Sequence, residues 1–509
     1  MMTLKNRQIN VSAAVLTMRV KIERLAKVGV NILSSNSLFW IIFGLLIFQA
    51  LWVAFSFRYP MLYDEKFHLD AIRFLSSQGK SFLIGDGSQN TNYDFLGSIV
   101  FGATSIFHYI MAAIYWVANH FNIAWPYLTV IFRVLNIAMV AFGLYAYRRL
   151  FQKLKIGEVY INLGLLMFVL LPMTTLVAAT VNYDNMIFLL TPLFLIAGIN
   201  VLQLKEPKFI RYVIFMVIGL FASLAKPAFL PVFAVGCLIA ITSQYRLINH
   251  QFIKKLLGQI SGKKIVAIPL LLLVGVLLVL FAQRYVYSTI RYGSPIPDCA
   301  QVLSSDRCMA NGVYALESMV IATKNDRSTI TPTVYVAGWF NSMFLGYGIT
   351  AANTTNGGSS GARSPEILND TIFILAGLFV LAMVYQRKSE PSAKSKDFVL
   401  YCAAALVLVT ICFNAVSYYR AHSQLNLNPR YILSVLPIFF VFGIRDLSRS
   451  IGNRPLIKIT IITVLFVIFA QGGGLITHIV KSNEAWYWQN PNIIRINQDA
   501  RNILNIVVR

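Results

Sequence analysis

Long apolar runs separated by short polar connections dominate this chain. Runs near 38–57, 126–147, 159–180, 186–204, 209–224, 227–245, 265–283, 367–386, 398–418, 431–444 and 457–479 read as membrane helices, several of them short or broken. Crossing the hydrocarbon core of a bilayer takes about 20 mostly apolar residues. The pattern predicts an all-α polytopic membrane protein with about 11 transmembrane helices. It divides the chain into a basic N-terminal segment (1–37), a membrane domain (38–479) and a C-terminal tail (480–509), with longer connections at 58–125 and 284–366. Inside the first connection, Phe67, Ala71, Phe74 and Leu75 recur at helical spacing after Pro60. They predict a short amphipathic helix lying near the membrane surface.

Charge then orients the bundle. The chain has 57% hydrophobic and 13% charged residues, and a net charge of +24. Alternate connections (1–37, 148–158, 205–212, 246–264, 387–396 and 445–458) hold 26 of the 44 Lys and Arg residues beside only six acids, counting Asp397 at the edge of the fifth. The opposite side carries 16 basic and 14 acidic residues. This asymmetry is what the positive-inside rule produces, so the N-terminus is expected in the cytoplasm and the tail outside. The basic excess therefore reports topology and contact with anionic lipid heads, and excludes nucleic acid as the implied partner. The run 98–120 is apolar enough to span, but a span there would put "YRRLFQKLK" (147–155) outside. It is expected as a surface or re-entrant helix packed on the bundle. The basic N-terminus shows no small-residue cleavage site, so the first span is expected to stay as an anchor. Little polypeptide is expected in the cytoplasm, which leaves a soluble nucleotide substrate almost no site there.

Of five cysteines, Cys237, Cys402 and Cys412 fall in spans, where cysteine is a small apolar filler. Cys299 and Cys308, in "PDCAQVLSSDRC", fall on the expected outer side. Their spacing suits a small disulfide loop in an oxidising compartment. Trp486, Tyr487 and Trp488 of the tail suit a membrane interface.

The candidate chemistry clusters on the same expected side. "YPMLYDEKFHLDAI" (59–72) places Asp64 at a helix start, Glu65 beside it and His68 one turn on. This is either a capping Asp with solvated neighbours, or a carboxylate base with a second carboxylate and an imidazole to orient it. The same three side chains could hold a divalent cation such as Mg or Mn. "ATVNYDNMIF" puts Asn182 and Asp184 in a turn between spans. "SLAKPAFLP" puts Lys226 at membrane depth, where a lone cation is either functional or snorkelling. "NLNPRYILSVLP" puts Arg430 and Tyr431 at the start of a late span, as phosphate ligands or interfacial anchors. Arg133 lies inside its span, as a phosphate contact or half of a structural ion pair, and His108–Tyr109 lie on the surface helix. Together, a carboxylate base and several cations in one cavity suit glycosyl transfer from a lipid-phosphate sugar.

At these positions the chain resembles the GT-C superfamily of polytopic glycosyltransferases, which includes the protein O-mannosyltransferases and the aminoarabinose transferase acting on lipid A. "YDEKFH" is similar to the acidic motif that opens their first outer loop. "SIFHYIMAAIYW" resembles the following surface helices, without their prolines, and "FRVLN" resembles an Arg-Leu-x-Ser/Asn motif with Arg133 at the Arg position. "GLFASLAKPAF" and "NPRYILSVLP" resemble later motifs that place Lys226, Arg430 and Tyr431. The resemblance is carried by spaced fragments over 38–445. It implies a GT-C-like bundle, a polyprenyl-phosphate sugar donor, an extracytoplasmic reaction and Asp64 as the catalytic carboxylate. It also implies a multi-pass protein of the bacterial inner membrane that decorates a surface saccharide, O-antigen or lipid acceptor. With no large C-terminal soluble domain, acceptor recognition is expected to use 284–366 and the tail. The alternative, a transporter or flippase of a lipid-linked sugar, would favour inverted repeats, and none is visible; a non-catalytic assembly subunit is a third reading.

Overall fold

The computed structural model describes residues 28–62, 64–78, 106–245, 250–262, 264–297, 393–421, 428–452 and 454–508, with short pieces between 299 and 377. The expected span at 367–386, most of 1–37, and 79–105 of the first connection lie outside the described residues.

The chain is an all-α polytopic membrane protein. Eight described helices are long and apolar enough to cross a membrane, and a ninth span is possible as a bent pair. The expected run 209–224 forms the shorter apolar helix Phe209–Ala225. The described residues therefore give eight or nine spans where the pattern predicts about eleven.

Helix α1 (Asn36–Ser56) starts where Ser35 accepts a hydrogen bond from the Leu38 N–H, and it ends at Phe57 with an extended backbone. Helix α2 (Glu65–Gln78) and α3 (Ile106–His120), both within the first connection, pack on one another. The buried face of α2 is Glu65, His68, Leu69, Ala71 and Ile72, while Phe74 and Leu75 are only partly covered. The apolar stripe predicted for this helix is thus rotated, because two polar residues take the inward face.

The long α4 (Trp125–Lys153) begins with Pro126 and packs along α7 (Tyr183–Leu202). Between them, α5 (Glu158–Val169) and α6 (Pro172–Ala179) meet at a 70° bend. Pro172 cannot continue the hydrogen-bond ladder of α5, which accounts for the break. Every residue of α6 is buried, so this short helix lies inside the bundle and delivers the following turn to the site. Next come α8 (Phe209–Ala225), α9 (Leu230–Gln244), α10 (His250–Gly262) and α11 (Lys264–Phe281). Helix α11 continues through a π-helical turn at Ala282–Tyr287. Helix α12 (Ala393–Ala421) packs on α9, and α13 (Leu436–Ser450), entered through a 3₁₀ turn at Pro429–Val435, packs on α5. Gly164 of α5 makes that last approach possible, since a Cβ there would collide with Val441 of α13.

After α14 (Pro455–Gly472) and α15 (Gly474–Lys481), the tail folds back as α16 (Pro491–Val508). Its lead-in pairs with the end of α1: the Arg58 N–H donates to Trp486 O at 2.8 Å, and the Trp488 N–H donates to Ser56 O at 3.0 Å. Trp486 and Tyr487 are buried by this contact, so they are packing residues and not the interface anchors expected from the sequence. Asn497 of α16 accepts from the Trp52 indole at 2.9 Å and donates to Ser56 Oγ at 3.1 Å.

Candidate active site

Two acidic neighbours, Asp64 and Glu65, part company in the fold. Glu65 is fully buried and forms a two-pronged ion pair with Arg133: Nε to Oε1 and Nη2 to Oε2, both at 2.8 Å. Glu65 also accepts from the Met61 N–H at 2.7 Å. Arg133 has further work. Its Nη1 donates to Ala54 O at 2.9 Å and Phe57 O at 2.5 Å, and its Nη2 approaches Arg58 O at 3.3 Å. These are carbonyls at the C-terminal end of α1, which lack partners within the helix. Trp488 of the tail places its ring 5.7 Å from the guanidinium. Arg133 thus ties together α1, α2 and α4, with the tail seated against it. Its expected role as a donor-phosphate ligand is corrected, since it has no exposed surface and its donors are committed. Glu65 is likewise a positioning residue, because a carboxylate sealed by a guanidinium cannot reach a substrate hydroxyl.

Asp64 is directed the other way. Its side chain is 56% exposed and ion-paired with Arg430 Nη2. A capping Asp adopts an extended backbone, whereas Asp64 has φ of 65°. That is the left-handed region, costly for a residue with a Cβ and typical of functional sites. Arg430 in turn lies 3.5 Å from Asp184 through Nε, and Asp184 pairs with Lys226. Arg430, Asp184 and Lys226 are all buried, so Asp64 is the member of this cluster that reaches solvent. Tyr183 and Tyr431 flank Lys226, with its ammonium 5.1 and 4.5 Å from their ring centres, a favourable place for a desolvated cation.

The turn that carries Asp184 is held by amides. Asn182 accepts from the Asp184 N–H at 2.8 Å and so caps α7. Asn136 accepts from the Asn182 N–H at 3.2 Å and from Asn185 Nδ2 at 3.0 Å. Asn185 also donates to Val177 O and Thr180 O, both at 2.9 Å. Asn136 and Asn185 were not among the candidates read from the sequence. The signal for Asn136 was its place in "FRVLN", one turn beyond Arg133 on the same face.

His68 and His108 form a separate pair: His68 Nδ1 and His108 Nε2 are 2.9 Å apart, and both rings are buried. The edge of His68 meets Tyr183 with ring centres 4.7 Å apart. Burial pushes His108 down to about 3. Burial, then His108, then the cations Arg430 and Lys226 push His68 well below the usual histidine range. Both are therefore neutral in the fold and gain protons on unfolding. That contribution is fully present above about pH 6.5 and is lost as the pH falls from there toward the folded value. The melting temperature of purified protein should drop between pH 6.5 and 5, and His108→Gln should reduce the slope. An unchanged slope in that variant would remove the pair as its cause.

Tyr109, next to His108, faces elsewhere, lining an apolar groove with residues of α3, α8 and α11. The metal set considered from the sequence does not fit: Asp64 is held by Arg430, Glu65 by Arg133 and His68 by His108. Among the described residues no three metal-ligating side chains converge. Cys308 is disulfide-bonded, and Cys237, Cys402 and Cys412 are free. The side chain of Cys299 lies outside the described residues.

The structure thus brings Asp64, Asp184, Lys226, Arg430 and Tyr431 together, with Asn182 and the histidine pair in support. It sets Arg133 and Glu65 beneath them and Tyr109 to one side. Comparison with protein-family models and with curated proteins returned no match.

Proposed function

We propose that this protein is a GT-C-type membrane glycosyltransferase, moving a sugar from a polyprenyl-phosphate or polyprenyl-diphosphate donor to an extracytoplasmic acceptor. The observation that carries the reading is an exposed carboxylate, Asp64, joined to two buried cations, Arg430 directly and Lys226 through Asp184. In the reaction, Asp64 takes the proton of an acceptor hydroxyl. The acceptor oxygen bonds to the anomeric carbon as the bond from that carbon to the phosphate oxygen breaks. The electron pair leaves with the phosphate, and Lys226 and Arg430 stabilise the charge.

A lipid donor is supported by an apolar groove on α3, α8 and α11, of which α8 ends at Lys226. It measures about 1060 Å³ and is lined by Ile106, Tyr109, Phe221, Leu277 and Leu280 among others. Such a wall suits a hydrocarbon chain entering from the bilayer, with its phosphate turned toward Lys226. The charge asymmetry supports a cytoplasmic N-terminus and a site on the opposite face of the membrane; the bacterial inner membrane is what the family resemblance implies. A surface polysaccharide, O-antigen or lipid is the acceptor class we favour.

Purified protein incubated with labelled polyprenyl-phosphate sugars and surface polysaccharide should transfer label. Vesicles that move the lipid-linked sugar without cleaving it would replace this reading with a flippase. Lys226→Ala should mainly raise the KM for donor, by about tenfold or more for a lost charge-assisted phosphate contact. An unchanged donor KM would remove Lys226 from the phosphate site.

A further inference from the structure

Among the described residues, the charges of the candidate cluster balance. Its two carboxylates, Asp64 and Asp184, balance its two cations, Arg430 and Lys226. A phosphate that arrives at those cations competes with the carboxylates already paired there.

The two carboxylates are not equivalent. Asp184 is 5% exposed and touches both cations, and its own backbone N–H is fixed by Asn182. Driving it off would strand a buried charge, which is strongly unfavourable. Asp64 is 56% exposed and is held by one guanidinium nitrogen. Leaving that nitrogen costs Asp64 less than it would cost Asp184, because the Asp64 carboxylate is already largely hydrated. The Asp64 backbone is also the strained one, at φ 65°. Residues held in that region persist where their surroundings enforce it, and they concentrate at switch positions.

We propose that the Asp64 carboxylate is an internal stand-in for the donor phosphate on Arg430, so that a lipid phosphate displaces Asp64 and frees it to act as the base. The inference rests on the glycosyltransferase reading and gives that reaction an order. While Asp64 is paired, the guanidinium holds one of its two carboxylate oxygens and fixes the direction of the group. Once phosphate takes Arg430, the released carboxylate accepts the hydroxyl proton while the phosphate receives the electron pair of the breaking bond. Arg430 is then a positioning residue for the base as well as a contact for the donor. The deeper Glu65–Arg133 pair keeps the start of α2 in place while Asp64 changes partner.

The test is equilibrium binding of polyprenyl monophosphate to the full chain in lipid nanodiscs. Asp64→Asn and Asp64→Ser each remove the internal competitor, so both should bind the lipid about two- to fivefold more tightly than wild type. Loss of a nearby negative charge could also tighten binding without any exchange of partners. The discriminating comparison is therefore made in an Arg430→Gln background, where no competition for Arg430 exists and the tightening should vanish. Wild type that binds as tightly as both Asp64 variants overturns the exchange and leaves the donor reading intact. Tightening that survives in Arg430→Gln overturns it equally. If neither wild type nor any variant binds the lipid, the donor reading falls and the exchange with it. Asp64→Ser guards against a variant-specific folding defect.

Discussion

Replacing Arg133 by alanine should abolish accumulation of folded protein, through a loss on the order of 3–5 kcal/mol. The change leaves Glu65 ionised in a position with no solvent contact, and it removes donors from the carbonyls of Ala54 and Phe57. Most natural domains have only about 5–15 kcal/mol of net stability to lose. Glu65→Gln should be destabilising for the reciprocal reason, because it leaves a buried guanidinium without its counter-charge. Arg133→Lys should fall between, since an ammonium keeps the charge but cannot span both oxygens of Glu65 and the carbonyls of α1. Thermal unfolding of the solubilised protein checks the series. A melting temperature for Arg133→Ala equal to that of wild type would show that the pair does not hold these helices together.

Asp64→Asn, one residue from Glu65, should behave in the opposite way. The protein should still accumulate, because the Asp64 side chain is mostly in water and the buried Arg430 keeps Asp184 as a counter-charge at 3.5 Å. Sugar transfer should fall by about 10²–10⁴-fold, the usual contribution of a positioned general base. The amide keeps the shape of the side chain but cannot take a proton from an acceptor hydroxyl. Near-normal transfer in Asp64→Asn would end its assignment as the base. Paired with Glu65→Gln, the experiment separates the two carboxylates cleanly: one loss shows in the rate, the other in the yield of folded protein.

Much of the fold was legible in the chain because a bilayer imposes a length on every apolar helix. Eight of the predicted runs form long apolar helices close to their expected limits. A helix in the apolar run 98–120 was legible, and at 15 residues α3 is not among the eight candidate spans. The face of α2 was not. Hydrophobic periodicity assumes that polar residues point outward, and here Glu65 and His68 are buried because each has a partner from another helix. The tail was misread for a related reason. Trp486 and Tyr487 have the composition of interface residues, but backbone pairing with the end of α1 buries them. Arg133 was open to two readings, and the structural ion pair is the one realised.

The sequence by itself determined that this chain lives in a membrane, which connections carry the basic excess, and that acidic and basic side chains gather at corresponding ends of several helices. Those properties depend on local composition and on the thickness of the bilayer. Only the tertiary structure decided which carboxylate is sealed and which is exposed, and which arginine each of them pairs with. Glu65 and Asp64 are adjacent and chemically alike. Their difference comes from a turn at φ 65° and from partners 68 and 366 residues away along the chain, a separation that no local pattern encodes.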